Sequence, residues 1–176
     1  ISMDEDPLKA IRAKKEASII GCMELLKEKK VEAVFSAGST GATLISAITV
    51  LGKQKGVIRP AIASVLPTTD GSVILLDSGA SLDVKPKVLY QFAVMGSKLA
   101  EVLLDLDKPR VGLLNNGEEE SKGRDLEKSA YKLLSSSTLN FIGNVEGRDF
   151  ASEKVDVFVT DGFTGNVVLK TLEGTA

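Results

Sequence analysis

The stretch VFVTDGFTGNVVLK, Val157–Lys170, changes character halfway along. An apolar, β-branched run leads into Asp161-Gly162-Phe163-Thr164-Gly165-Asn166, and a helix-like apolar run begins after it. Strand, short polar turn and helix in direct succession are half of a βαβ unit. The turn holds a carboxylate, a hydroxyl, an amide and two glycines, more than is needed to reverse the chain. The same grammar recurs along the sequence. Val31–Phe35, Val73–Leu76, Val111–Leu114, Leu139–Ile142 and Val155–Thr160 read as short apolar strands. Pro7–Lys30, Ala42–Leu51, Pro86–Asp105 and Leu126–Ser135 read as helices between them. Val57–Leu66 is strand-like but contains Pro60, which suits an edge or bent strand, and Pro67–Gly71 reads as a turn. Strands that are apolar throughout, alternating with helices, predict an α/β fold: three α/β/α layers around a mostly parallel sheet.

Composition narrows the chemistry. With 176 residues and 43% apolar content, the chain can bury one sizeable core, and the expectation is a single α/β domain over residues 1–176. The abrupt start at Ile1 and the helix-like pattern still running at Ala176 lead us to expect a piece of a longer chain. The 22 basic and 24 acidic residues leave a net charge of −2, which gives no field for nucleic acid. No apolar run reaches the roughly 18 residues of a membrane span. Ile1–Asp6 does not read as a basic region followed by an apolar one. A single cysteine leaves no internal disulfide and fits the cytoplasm. Cys22 falls on the apolar stripe Ile19, Cys22, Met23, Leu26, so its expected role is packing. The absence of histidine excludes a Ser-His-Asp triad and any histidine-ligated metal. No carboxylate spacing singles out a metal site, and no cofactor is expected.

Five expected strand ends carry glycine beside polar residues: Ser36–Gly41, Asp77–Ser81, Asn115–Gly117, Gly143–Gly147 and Asp161–Asn166. In open α/β sheets ligands collect beyond the carboxyl ends of strands, where helix N-termini present N–H groups to anions. SAGSTG at 36–41 is neither a Walker A loop nor GxGxxG, so a small phosphate is a more economical ligand than a nucleotide. Lys122 and Arg124 follow the acidic run Glu118–Glu120. Two readings of them stay open: ion pairs with that run, or cations reaching over the strand ends to neutralise a phosphate or an oxyanion.

The segments FSAGSTGA (35–42), RPAIASVLPT (59–68), LLDSGASLDVKP (75–86), PRVGLLNNGEEESKG (109–123), NFIGNVEGRD (140–149) and VDVFVTDGFTGNVVLKTLEG (155–174) resemble, in this order, the bacterial phosphate acyltransferase family of phospholipid synthesis, PlsX. The resemblance implies a fold similar to isocitrate and isopropylmalate dehydrogenases and to phosphotransacetylase. It implies transfer of a fatty acyl group from acyl carrier protein to inorganic phosphate, a homodimer, and peripheral association with the cytoplasmic face of the membrane. By position it makes Lys122, Asp161 and Asn166 catalytic candidates. It makes Ser36, Gly38, Thr40, Gly41, Asp77, Asn115, Gly117, Gly162, Thr164 and Gly165 candidates for phosphate or substrate binding. Ser39, Ser78, Ser81, Asn116 and Glu118 depart from the family's common pattern. The mechanism expected from it has Lys122 offset phosphate or oxyanion charge, and Asp161 orient Lys122 or its own loop. Arg12, Lys14 and Lys15 are candidates for receiving the acidic carrier protein. Three alternatives stand beside this reading: a phosphotransacetylase-like enzyme using a CoA thioester, an NAD- and metal-dependent decarboxylating dehydrogenase on fold analogy alone, and a non-catalytic ligand-binding or dimerisation core.

Overall fold

The computed structural model describes residues 1–69 and 71–175 and divides the chain into two compact units, Ile1–Val57 and Ile58–Ala176. The first is helical: α1 (Pro7–Ala13), α2 (Ser18–Lys27) and α3 (Thr40–Val50). Asp6 caps α1 by accepting the Lys9 N–H at 2.8 Å, and Pro7 occupies the first turn, where no N–H is needed. The single helix expected over Pro7–Lys30 is two helices, broken at Lys14–Ala17. The reason is geometric. Ile11 and Ile20 are nine residues apart and would face opposite sides of one continuous helix. Both are buried in one cluster with Ala42 of α3, which the break permits. On α2 the buried positions are Ile20 and Met23, and Cys22 is only half-buried.

Val31–Phe35, expected as a strand, is irregular and largely exposed, with Phe35 at 93% of its full accessibility. A strand needs a neighbour to take its N–H and C=O groups. The described residues of this unit contain no other strand to supply one.

The second unit is built on a five-stranded sheet in the order β1-β2-β5-β3-β4. Its strands are β1 (Ala63–Thr68), β2 (Gly71–Leu76), β3 (Val111–Leu114), β4 (Phe141–Val145) and β5 (Val157–Val159). β2, β5, β3 and β4 are mutually parallel, and β1 pairs antiparallel with β2 at one edge. The edge position tolerates Pro67, which belongs to β1 and not to the expected turn. Asp70 of that turn lies outside the described residues. One face of the sheet packs against α4 (Pro86–Leu103) and α5 (Asp125–Ser135). Ile74, Val111, Leu113, Val157 and Val159 meet Leu89, Phe92, Ala93 and Leu134 there. The other face carries Val73, Leu75, Val145 and Phe158 against α6 (Gly162–Thr175) and a 3-10 turn at Gly147–Ala151, where Phe150 stacks on Phe158. The unit is therefore three layers, and the fold class is the α/β arrangement with a mostly parallel sheet expected from the sequence.

Because β2, β5 and β3 are parallel neighbours, their carboxyl ends share one edge of the sheet. Asp77, Thr160-Asp161 and Asn115 follow those ends directly. This shared edge is what brings sequence-distant polar residues together.

Candidate functional site in the second unit

A cleft of about 530 Å³ opens at this edge, lined by Leu114, Asn115, Asn116, Gly123, Arg124, Glu127, Thr160 and Thr164. The strand-end segments after β3 and β5 thus meet in one cavity. Asp161 lies behind this lining, bonded to Arg124 and Thr164. Its side chain is only 2% exposed. It caps α6 by accepting the Thr164 N–H at 2.8 Å, and also takes the Thr164 hydroxyl proton at 3.0 Å. The helix therefore starts at Gly162, five residues before the expected apolar run, and the cap is Asp161 itself.

Arg124 reaches across from the start of α5. Its Nη2 donates to both Asp161 and Glu127, and its Nε also donates to Glu127, at 3.1 and 3.2 Å from the two carboxylate oxygens. Glu127 in turn accepts the Arg124 backbone N–H at 2.8 Å. Burial would raise the Asp161 carboxyl, but the Thr164 N–H, Arg124 and the Thr164 hydroxyl together outweigh it and hold it below the ordinary carboxylate value. Arg124 is raised, chiefly by its bonds to Glu127 and next by those to Asp161. The partners of Asp161 are thus Thr164 of its own loop, one of the two expected alternatives, and Arg124 in place of Lys122, the other. Lys122 sits loosely by Glu119, Nζ 3.9 Å from the carboxylate, with its side chain 46% exposed. Of the two cations after the acidic run, Lys122 pairs with that run, while Arg124 pairs with Glu127 and, across the sheet edge, with Asp161.

The loop itself is held by Asn115, whose Oδ1 accepts the Asn116 N–H at 2.8 Å and whose Nδ2 donates to the Lys122 carbonyl at 3.2 Å. Gly123 is required there: φ is +88°, and a Cβ would stand 2.6 Å from Asn115 Oδ1. A Cβ on Gly117 would meet the Lys122 side chain at 2.8 Å.

Other candidates turn out to be occupied within the protein. Asp77 is fully buried, and its carboxylate accepts the N–H groups of Ile62, Gly79, Ala80 and Ser81. Gly162 and Gly165 are buried against that same loop, and a Cβ on Gly162 would meet Ser81 N at 2.7 Å. Their small size serves close packing of α6. Asn166 is exposed beside Gly79.

Ser36, Gly38, Thr40 and Gly41 belong to the first unit. Ser36 Oγ accepts the Gly38 N–H at 3.2 Å, and Ser39, not Thr40, caps α3. Gly41 lets the start of α3 approach Pro7, since a Cβ there would be 2.9 Å from the proline ring. Ser36, Gly38 and Ser39 line a cleft of about 300 Å³ with Ile19, Cys22 and Phe35. Lys14, offered as a carrier-protein contact, is ion-paired with Glu5. Glu127 and Thr160 are site residues that the sequence reading did not reach. The Arg124-x-x-Glu127 spacing at a helix start was the available signal.

A sequence profile described as "Fatty acid synthesis protein" matches residues 1–176. The chain belongs to the fatty acid synthesis protein family. Among the members it resembles, the phosphate acyltransferase of Desulforamulus reducens is 52% identical over 176 residues, which is 100% of this chain and 53% of that protein. That of Thermoanaerobacterium thermosaccharolyticum is 49% identical, again over 100% of this chain and 53% of the relative. The chain spans about half the length of those relatives. Among solved structures, the EutD phosphotransacetylase from Staphylococcus aureus superposes with a TM-score of 0.65 at 16% identity, covering 96% of this chain and 62% of that one. A phosphotransacetylase from Streptococcus pyogenes gives 0.65 and 16%, covering 98% and 63%. Likeness at that identity establishes the fold and nothing about the reaction.

Proposed function

We propose that the chain serves the transfer of a fatty acyl group from an acyl carrier protein thioester to inorganic phosphate. The observation that supports this reading best is identity near one half to phosphate acyltransferases across every residue of the chain. The composition agrees with it. A serine nucleophile would need a base, and there is no histidine. Hydrogen phosphate already carries negative oxygens. One of them forms the new C–O bond at the thioester carbonyl, the C–S bond breaks, and the departing thiolate is balanced by the phosphate's own proton. The products are an acyl phosphate and a free thiol. What the protein must add is positioning, worth several kcal/mol, and one or two donors to the oxyanion, each worth about 3 kcal/mol.

In this reading Lys122 is the charge-compensating group. Its backbone is tied down by Asn115, while its half-exposed ammonium makes, among the described residues, only a long contact to Glu119. Asp161 orders the start of α6. The Thr164 hydroxyl already gives its proton to Asp161, which leaves its oxygen as an acceptor and not as a donor to an anion. The exposed Thr40 at the start of α3 is retained as a phosphate donor within its own unit.

The test is thiol release from an acyl carrier protein thioester and from the matching acyl-CoA, each with and without phosphate, run beside the Desulforamulus reducens relative. Phosphate-dependent release, faster from the carrier-protein thioester, is expected. Preference for the CoA thioester would move the assignment to a phosphotransacetylase-like reaction. Absence of release here, with release by the relative, would leave this chain a ligand-binding core.

A further inference from the structure

We infer that Arg124 is a phosphate-binding residue of this chain, presenting its Nη1 edge to the cleft, and that Glu127 is the positioning residue that holds it there. The inference rests on the acyl-to-phosphate reading and names a residue which that reading leaves unassigned.

The geometry of the guanidinium carries it. Arg124 bonds through its backbone N, Nε and Nη2. Its Nη1 has no partner among the described residues. The side chain is still 61% exposed while both of its carboxylate partners are at least nine-tenths buried. A guanidinium clamped along one edge by two buried carboxylates cannot rotate away, so its remaining N–H groups point in a fixed direction. They do so on the wall of the 530 Å³ cleft, beside the polar ends of β3 and β5.

A structural strut between α5 and α6 would explain the ion pairs alone. It would not require the cation to stand in an open cleft, exposed, with one nitrogen unused. The charge balance says what kind of contact this is. One guanidinium faces Glu127 and Asp161, so the three groups sum to −1, and the charge of Lys122 is already set against Glu119. Arg124 therefore contributes direction more than charge. Its planar fork fixes where a phosphate oxygen sits, a role that lysine's single point charge does not reproduce.

Two variants separate this from a folding role. Arg124→Lys keeps a cation for the buried carboxylates but removes the fork. Glu127→Gln keeps the volume but loosens the clamp. Each is measured for its melting temperature, for phosphate binding by ³¹P NMR, and for half-saturating phosphate and thioester in the transfer assay. The expected result for Arg124→Lys is about a tenfold weaker phosphate dependence, the scale of one lost charge-assisted hydrogen bond, with the half-saturating thioester within twofold of wild type. Glu127→Gln should show a smaller change of the same kind. Unchanged phosphate binding in a folded Arg124→Lys protein would overturn the inference, as would equal losses for phosphate and thioester. If the wild-type chain forms no acyl phosphate, the reaction assignment fails, and the NMR comparison still decides the role of Arg124. Phosphate that binds wild type and Arg124→Lys alike, or neither, counts against it. Should Arg124→Lys not fold, an unaltered phosphate affinity in Glu127→Gln would likewise overturn it.

Discussion

Gly165 lies directly against the backbone of Asp77: a Cβ built on Gly165 would stand 1.9 Å from the Asp77 carbonyl oxygen. Two strand-end segments that both look like ligand loops are thus packed on each other, with α6 seated on the turn that follows β2. A methyl group at Gly165 has to displace backbone, not a flexible side chain. Gly165→Ala should therefore cost about 3 kcal/mol or more, at the upper end of overpacking effects. Gly21 of α2 has nothing within 4 Å of its Cβ position, and Gly21→Ala should raise stability by about 0.5–1 kcal/mol. Urea unfolding of the two variants checks both; equal, small effects would contradict the packing described here.

Acid should unfold the protein partly through Asp161 and Asp156. Burial raises the Asp156 carboxyl, but hydrogen bonds from the Arg110 side chain and backbone more than offset it, so that both carboxyls titrate below their ordinary values. A group depressed in the folded state contributes stability that is fully present above its unfolded value, about 3.9, and is lost as pH falls through the folded one. Asp161→Asn and Asp156→Asn should each lower the urea midpoint at pH 7 and flatten its decline below about pH 4. An unchanged acid limb in both variants would show that these carboxylates are not linked to folding.

Lys122 should matter for turnover and not for folding. Its ammonium is half-exposed and, among the described residues, makes only a 3.9 Å contact, of a kind that contributes at most about 1 kcal/mol. Lys122→Ala should keep the melting temperature within a degree or two and reduce acyl-phosphate formation at least tenfold. Near-normal turnover would remove Lys122 from the mechanism.

The Asp6 cap of α1 gives a local test of the first unit. Its bond to the Lys9 N–H is short and exposed, and Asp6→Ala should cost about 1 kcal/mol. Loss of helical signal confined to Pro7–Ala13, followed by hydrogen exchange, is the expected signature; no change in exchange there would mean that Pro7 and packing alone hold the helix start.

The parts of the fold legible in the sequence are those in which local pattern and long-range packing agree. Val111–Leu114 is apolar at every position because both sheet faces are covered, and Pro86 opens α4 where its missing N–H is harmless. Pattern fails where a distant partner decides. Val31–Phe35 has strand composition and no strand beside it in its unit. Ile11 and Ile20 fit one helical stripe only if the chain breaks between them. The site divides the same way. Asn115 and Thr164 share a cleft because β3 and β5 are adjacent parallel strands, which the glycine-bearing strand ends foreshadow. That Asp161 would take Arg124 instead of Lys122, or that Gly162 and Gly165 would face Asp77 instead of a ligand, depends on side-chain reach across the sheet edge, and no spacing along the chain encodes it.

The most direct measurement is isotopic. The chain is incubated with a fatty acyl carrier protein thioester and ³²P-orthophosphate, and the products are extracted into organic solvent and treated with hydroxylamine. Acyl transfer to phosphate predicts an extractable labelled product that hydroxylamine destroys, formed in step with free thiol. Thiol released without incorporation of label would mean that water, not phosphate, receives the acyl group, and would contradict the assignment.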